Sequence, residues 1–157
     1  MKSNLLQEIE NVFPFVEKPK GIDLARHKDD CLHCKFALHD IEEYTEAVLP
    51  KAGLLKIFNE MSALSPQGWC WVLPSYLRHC IKITVFYDNM ETEFLIYNLG
   101  PAEEFHAEAI ERFSLLNKEQ ISCLIHFLEW AETHEYWSTY CPEEIQKGLE
   151  FLKNKLA

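Results

Sequence analysis

Residues 117–134, "NKEQISCLIHFLEWAETH", carry the strongest helix signal in the chain. Asn117 is followed three residues later by Gln120, a capping-box pair that predicts a helix capped by Asn117. Apolar residues then recur at helical spacing and predict one buried stripe. The stripe consists of Ile121, Leu124, Ile125, Leu128 and Ala131. We therefore expect a long amphipathic helix with one face in the core.

Helical spacing recurs along most of the chain. Further helices are predicted over residues 3–13, about 29–38, 41–49, 54–64, 74–88 and 107–116, and from 142 or 143 to the end. Asp40 with Glu43 forms the capping box of the 41–49 helix. Ser65 with Pro66 predicts another helix start, and Pro74 is expected to restart a longer helix.

The fold class predicted from these segments is all-α. Because residues 81–87 are rich in β-branched side chains and 90–99 fit either structure, at most a short strand pair is expected near residues 81–98. At 157 residues, 48% of them hydrophobic and 25% charged, the chain has the size and composition of about one globular domain. The prediction is a compact single-domain helical bundle spanning residues 1–157.

Composition also bears on localisation. No apolar run approaches the roughly 20 residues that a membrane-spanning helix needs. The first residues, "MKSNLLQEIENVF", contain glutamates and no small-residue cleavage site, so no signal peptide is expected. We therefore expect a cytoplasmic protein whose six cysteines are reduced thiols.

The net charge of −10 is distributed unevenly along the chain. Residues 1–82 carry 11 acidic and 10 basic side chains, whereas residues 83–157 carry 14 and 5. Such a surface disfavours nucleic acid and anionic membranes, which require basic footprints. It favours a basic protein partner, with ordinary acidic solubility as the alternative explanation.

The segment "HKDDCLHCKFALHD", residues 27–40, contains a C-x-x-C pair and three histidines. Zinc prefers four thiolate or imidazole ligands. Cys31 and Cys34 supply half of such a set, and His27 and His39 are spaced to add to it. Cys123 and His126 have similar spacing but lie within the predicted long helix. The interpretation preferred from sequence is that both cysteines lie on a helix and their thiols face the protein core, with zinc as the alternative.

Redox and other catalytic functions receive less support. A redox C-x-x-C pair is expected in a thioredoxin-like βαβ context, which is missing, and Asp29 and Asp30 are expected to raise the pKa of the nearby thiols. The sequence contains no G-x-S-x-G, P-loop or G-x-G-x-x-G motif. A non-enzymatic protein is therefore expected. A metal-assisted hydrolase built on the same ligands is a third alternative.

Aromatic residues near the acidic C-terminal half suggest anchors for a partner. The predicted partner-binding set is Glu129, Glu132, Glu135, Trp130, Tyr136, Trp137, Glu103, Glu104 and Glu108. The leading functional hypothesis is a protein-binding module without a cofactor. Its most concrete form is an immunity- or antitoxin-like inhibitor whose acidic face binds a basic toxin. The alternative is a small zinc-binding structural or regulatory domain.

Three segments also resemble a known protein family. They are "HKDDC" at 27–31, "SALSPQGWCWVLPSYL" at 62–77 and "RFSLLNKEQISCLIHFLEW" at 112–130. These resemble an uncharacterised family of small bacterial proteins, although Val72 replaces a common aromatic. The resemblance covers about residues 27–130. It implies a helical domain of the bacterial cytoplasm and no assigned reaction.

Overall fold

The computed structural model describes residues 2–27, 31–83 and 90–156, and this part of the chain is all-α, as predicted. Within these residues the only β-type pairing is an isolated bridge between Ala25 and Leu64. Short 3₁₀ turns occupy Gly21–Leu24, Phe58–Ala63 and Glu103–Phe105, and Leu152–Leu156 forms a π-helical turn. The α-helices are α1 (Lys2–Val12), α2 (Leu32–Asp40), α3 (Lys51–Ile57), α4 (Pro66–Lys82), α5 (Met90–Leu99), α6 (His106–Arg112), α7 (Lys118–Thr133), α8 (Glu135–Tyr140) and α9 (Pro142–Phe151).

Helix α7 confirms the capping box. The Asn117 side chain accepts the Gln120 N–H at 2.8 Å, and the Gln120 side chain accepts the Asn117 N–H at 3.0 Å. The predicted apolar stripe is buried, where α7 packs against α1 and α9. It joins a hydrophobic core whose buried side chains extend from Leu5 to Leu152. None of the helices described is long and apolar enough to cross a bilayer.

Helix α4 begins as predicted but continues further. The Ser65 hydroxyl accepts the Gly68 N–H at 3.0 Å, and Pro66 occupies the first turn. The predicted restart at Pro74 is wrong, because the helix runs unbroken through this residue to Lys82. Proline removes one backbone donor, but every residue from Trp71 to Leu77 is buried. The packing of these buried side chains keeps the helix continuous across Pro74.

The helix predicted over residues 41–49 is also wrong. These residues form turns and bends. Tertiary contacts satisfy the loop in place of helical bonds: Trp71 Nε1 donates to the Glu46 carbonyl at 3.0 Å, and Ser75 Oγ accepts the Leu49 N–H at 3.0 Å. Glu43 pairs with Lys56 Nζ at 2.6 Å and does not act as a capping residue.

The ambiguous segment near residues 81–98 is resolved in part. Residues 84–89 lie outside the described part of the chain, whereas 90–99 form helix α5. Glu91 on α5 lies 2.8 Å from His79 Nε2 on α4; the Glu91 side chain is buried, and His79 is partly buried. This pair fastens α5 to α4. Helix α9 begins at Pro142, as predicted.

Candidate metal centre

His27, Cys31 and Cys34 converge at the start of α2. One ligand atom from each lies within 4.8 Å of the others, and the Cys34 Sγ is 3.7 Å from His27 Nδ1. A sulfur at about 2.3 Å and a nitrogen at about 2.05 Å from a tetrahedral zinc are about 3.6 Å apart. The spacing therefore fits a shared metal ion with small side-chain adjustments.

Backbone pairing with a distant segment positions His27. The Arg26 N–H donates to the Ala63 carbonyl at 2.8 Å, and the Ser65 N–H donates to the Leu24 carbonyl at 2.8 Å. Gly68 allows this close approach, because a Cβ there would lie 2.9 Å from the Leu24 carbonyl oxygen. Main-chain bonds thus hold the segment leading to His27 beside α2.

Cys31 is the N-cap of α2. Its backbone is extended (φ −78°, ψ 109°), and its Sγ accepts the Cys34 N–H at 3.3 Å. Hydrogen bonds from the Cys34 thiol, from that N–H and from His27 lower the Cys31 pKa to about 7. This contradicts the sequence expectation of a raised thiol pKa. The two aspartates behind that expectation, Asp29 and Asp30, lie outside the described residues.

Cys34 has the opposite environment. The residue is buried, and this burial raises the pKa of its thiol. Its Sγ lies 3.7 Å from the Ala63 carbonyl oxygen and donates a hydrogen bond to it. The preferred sequence interpretation, two inward-packed thiols, therefore holds fully for Cys34 and in part for Cys31, which is partly buried against the core.

The three side chains are of the types that zinc prefers as ligands. Two thiolates and one imidazole are ligands that zinc selects, and three protein ligands leave one coordination position for a further donor. A metal would connect the segment 24–27 to the first turn of α2. Metal binding requires deprotonated thiols, so a Cys31 pKa of about 7 lowers the cost of forming the thiolate at neutral pH.

The structure does not bring His39 into this cluster. His39 lies in the last turn of α2, its side chain is 80% exposed, and its Nδ1 is 3.5 Å from Glu42. The other candidate pair from the sequence, Cys123 and His126, does not form a common site either. Cys123 is buried on α7, whereas His126 points outward and contacts Glu8 at 2.8 Å.

The cluster opens onto a cleft of about 660 Å³. One part of the cleft is lined by Cys31, His27 and His33. Residues of α5, of α6 and of the turn between these two helices line much of the remainder. Arg26 and Glu108 form an ion pair across 3.2 Å within this cleft. His27 and Cys31 of the cluster are therefore accessible to a small molecule in the cleft.

The predicted aromatic anchors are mostly core residues. Trp130 is 7% exposed and Trp137 is 1% exposed, so neither tryptophan presents its ring to a partner. Tyr136 is half-buried and stacks edge-on against Trp137, with ring centroids 4.6 Å apart. The acidic surround misled the sequence interpretation, because α7 buries Trp130 and α8 buries Trp137 while the neighbouring glutamates Glu129 and Glu135 remain exposed.

The predicted acidic residues do not share one environment. Glu129, Glu132 and Glu135 are exposed on α7 and α8, and Glu132 accepts a hydrogen bond from Gln146 on α9 at 2.6 Å. Glu103 and Glu104 are exposed elsewhere, in the turn before α6. Glu108 is paired with Arg26 in the cleft.

Sequence reasoning missed several residues around the cluster. The N-cap role of Cys31 was detectable, because the residue stands directly before a helical pattern, although cysteine is not among the preferred caps. Arg26 and Arg112, which carry the positive charge of the cleft, gave no local signal. Their proximity depends on tertiary packing between distant segments.

The cluster lies within a region shared with other proteins, since a family model matches residues 1–140. The chain belongs to a family of unknown function, DUF6714. The resemblance to an uncharacterised family is thus confirmed, and the DUF6714 match extends beyond residues 27–130 at both ends. It includes His27, Cys31 and Cys34. No curated protein and no solved structure matches the chain.

Proposed function

We propose that this protein is a zinc-binding domain whose metal is held by His27, Cys31 and Cys34. The observation that carries the proposal is the approach of the three ligand atoms to within 4.8 Å of one another. The chemistry of the donors selects zinc over calcium or magnesium, which prefer oxygen ligands. The role is structural or regulatory, because a metal here would tie two chain segments together.

The backbone arrangement supports a site formed before metal arrives. The bonds from Arg26 to Ala63 and from Ser65 to Leu24 fix one side of the cluster. The Cys34 N–H fixes the Cys31 sulfur on the other side. A preorganised site loses less conformational entropy on binding than a site that must first be ordered.

A competitive zinc titration against a chromophoric chelator tests this proposal. The full-length protein should bind one zinc ion per chain, and zinc in excess should raise its melting temperature. Cys34→Ala and His27→Ala should each weaken binding by at least about 100-fold. Cys70→Ser and His39→Ala are the matched controls and should bind as the unmodified protein does.

Two results would overturn the zinc proposal. One is a wild-type protein that fails to compete with the chelator for zinc while remaining folded. The other is equal weakening in the control variants, because Cys70 and His39 lie outside the cluster. Circular dichroism of each variant separates lost binding from lost folding.

A second proposal is that the exposed glutamates of α7 and α8 bind a basic protein, with an inhibitor of a basic toxin as its concrete form. It is supported by the absence of Lys and Arg between Lys118 and Lys147, where six carboxylates occur. Exposure of Glu129, Glu132 and Glu135 also supports it. Charge complementarity would make such binding fast and sensitive to salt.

Affinity capture at low salt, followed by a high-salt wash, tests the second proposal. A basic partner should be released by salt. It should not bind a variant carrying Glu129→Lys, Glu132→Lys and Glu135→Lys. A matched variant reverses the exposed Glu10, Glu17 and Glu150 and should retain binding. Salt-independent capture, or equal loss in both variants, would contradict the proposal.

A further inference from the structure

The C-x-x-C pair has a geometry that suits chemistry beyond metal binding. Cys31 is half-exposed at the cleft, and Cys34 is buried one helical turn behind it. The Cys34 N–H points at the Cys31 sulfur from 3.3 Å. The Cys31 sulfur is therefore held against the cleft, within reach of a substrate disulfide.

The arrangement also fits disulfide formation. The two sulfurs lie within 4.8 Å, and two cysteines in the first turn of a helix have Cα atoms close enough for a disulfide. A disulfide at this position links residues three apart and constrains little of the fold. Forming it therefore crosslinks no distant segments of the chain.

We propose that the metal-free protein exchanges thiols and disulfides through Cys31 and Cys34, with small peptide disulfides as substrates. Cys31 is the attacking residue because it alone of the pair is open to the cleft. Cys34 is the resolving residue. The inference uses the residues of the proposed zinc site but does not require zinc.

The two steps balance as follows. The Cys31 thiolate attacks one substrate sulfur, a Cys31–substrate disulfide forms, and the first substrate thiolate leaves and takes a proton from water. Cys34 then attacks the Cys31 sulfur, and the Cys31–Cys34 disulfide forms. The second substrate thiolate leaves and takes the proton that Cys34 releases. Two protein thiols are oxidised to one disulfide, and the substrate disulfide is reduced to two thiols.

The cleft indicates the size and charge of the substrate. A volume of about 660 Å³ is in the range of small-molecule sites. Arg26 and Arg112 line it together with Glu108 and Glu144, so its charges balance. Tyr97 and Phe105 supply exposed aromatic surface. Such a cleft suits a zwitterionic peptide better than a strongly charged anion.

Glutathione disulfide is the probe for the experiment. The chelator-treated, full-length protein is incubated with it, quenched in acid, alkylated and mapped by mass spectrometry. We expect a Cys31–Cys34 disulfide in the wild type and in Cys70→Ser. In Cys34→Ser, a stable glutathione adduct should accumulate on Cys31. In the wild type, Cys31 should react at least about tenfold faster than the half-buried Cys70.

The proposal is overturned if the folded wild type remains reduced under conditions that oxidise it in guanidinium. Equal labelling of Cys31 and Cys70 would also overturn it, and this result does not depend on the folding of any variant. The zinc titration is scored separately. A protein that binds zinc but stays reduced refutes only the exchange activity, and one that exchanges without binding zinc refutes only the metal site.

Discussion

The backbone N–H of Cys34 donates a hydrogen bond to the Sγ of Cys31 across 3.3 Å, so a thiol caps helix α2. Most helices use Ser, Thr, Asp or Asn at this position. One side chain therefore has two roles, as the cap of a helix and as a candidate metal ligand. The two roles can be separated by a single substitution.

Cys31→Ser should keep the cap and lose the ligand. A serine hydroxyl accepts the same N–H bond, so the free energy of unfolding of the metal-free protein should change by less than about 0.5 kcal/mol. Zinc affinity should fall by at least about 100-fold, because zinc prefers thiolate to hydroxyl. Urea denaturation and chelator competition measure the two effects. A large loss of stability without zinc would contradict this division of roles.

Glu60 should make stability depend on pH. Burial, and then the adjacent Asp40, raise the pKa of Glu60 to about 7. Between about pH 4.5 and 7 the folded chain holds a proton that the unfolded chain does not, so the free energy of unfolding decreases as pH rises through this window. After allowance for solvent screening, the expected decrease is about 1 kcal/mol.

Glu60→Gln should remove most of this pH dependence and stabilise the protein at pH 8. Urea denaturation between pH 5 and pH 8 measures the slope. The exposed Glu17 provides the matched control, because Glu17→Gln should leave the slope unchanged. A Glu60→Gln variant whose stability falls with pH as steeply as the wild type would show that another group titrates.

Gly100 and Gly148 should respond differently to alanine. A Cβ on Gly100 would lie 2.4 Å from the Glu144 carbonyl oxygen and 2.8 Å from the Gly148 nitrogen, both backbone atoms of α9. A Cβ on Gly148 would meet the end of the Leu128 side chain at 2.6 Å, and that side chain can rotate. We expect Gly100→Ala to cost about 3 kcal/mol and Gly148→Ala about 1 kcal/mol.

Thermal and urea unfolding of the two alanine variants test the packing of α5 on α9. In α9, alanine also improves helix propensity, which offsets part of the strain at Gly148. A Gly100→Ala variant as stable as the wild type would mean that α5 and α9 are further apart than in this structure.

The pair formed by the partly buried His79 and the buried Glu91 should be important for docking α5. Their side chains are 14% and 5% exposed and approach to 2.8 Å. His79→Leu leaves a buried carboxylate without its partner, at a cost of about 3 kcal/mol. The double variant His79→Leu with Glu91→Met should recover most of this loss. Tyr97→Phe, which removes an exposed hydrogen bond to Glu93, is the control and should cost less than about 1 kcal/mol.

The parts of the fold predicted correctly were those with local signals. The Asn117–Gln120 capping box, the Ser65–Pro66 start and the Pro142 start each depend on residues within one helical turn. The errors arose where tertiary contacts override local preference. Apolar residues recur at helical spacing in residues 41–49, yet hydrogen bonds with the side chains of Trp71 and Ser75 hold the backbone of this segment in a loop.

In the candidate site, too, the sequence indicated only the residues that lie close together along the chain. Cys31, Cys34 and His27 are close in sequence, and their spacing made them candidate ligands, with inward-packed thiols as the preferred interpretation. The sequence alone did not exclude His39 as a ligand. The structure excludes it, because His39 lies in the last turn of α2 and the cluster lies at the start of that helix. The burial of Trp130 on α7 and Trp137 on α8 depends on how these helices pack, which the glutamates nearby in sequence do not indicate.

X-ray absorption spectroscopy of the zinc-loaded protein tests the central claim most directly, because it reports the atoms bound to the metal. We predict two sulfur atoms at about 2.3 Å, from Cys31 and Cys34, with nitrogen or oxygen atoms at about 2.0–2.1 Å in the remaining positions. Cys70→Ser should give the same spectrum. A first shell of nitrogen and oxygen alone would contradict the assignment of zinc to this cluster.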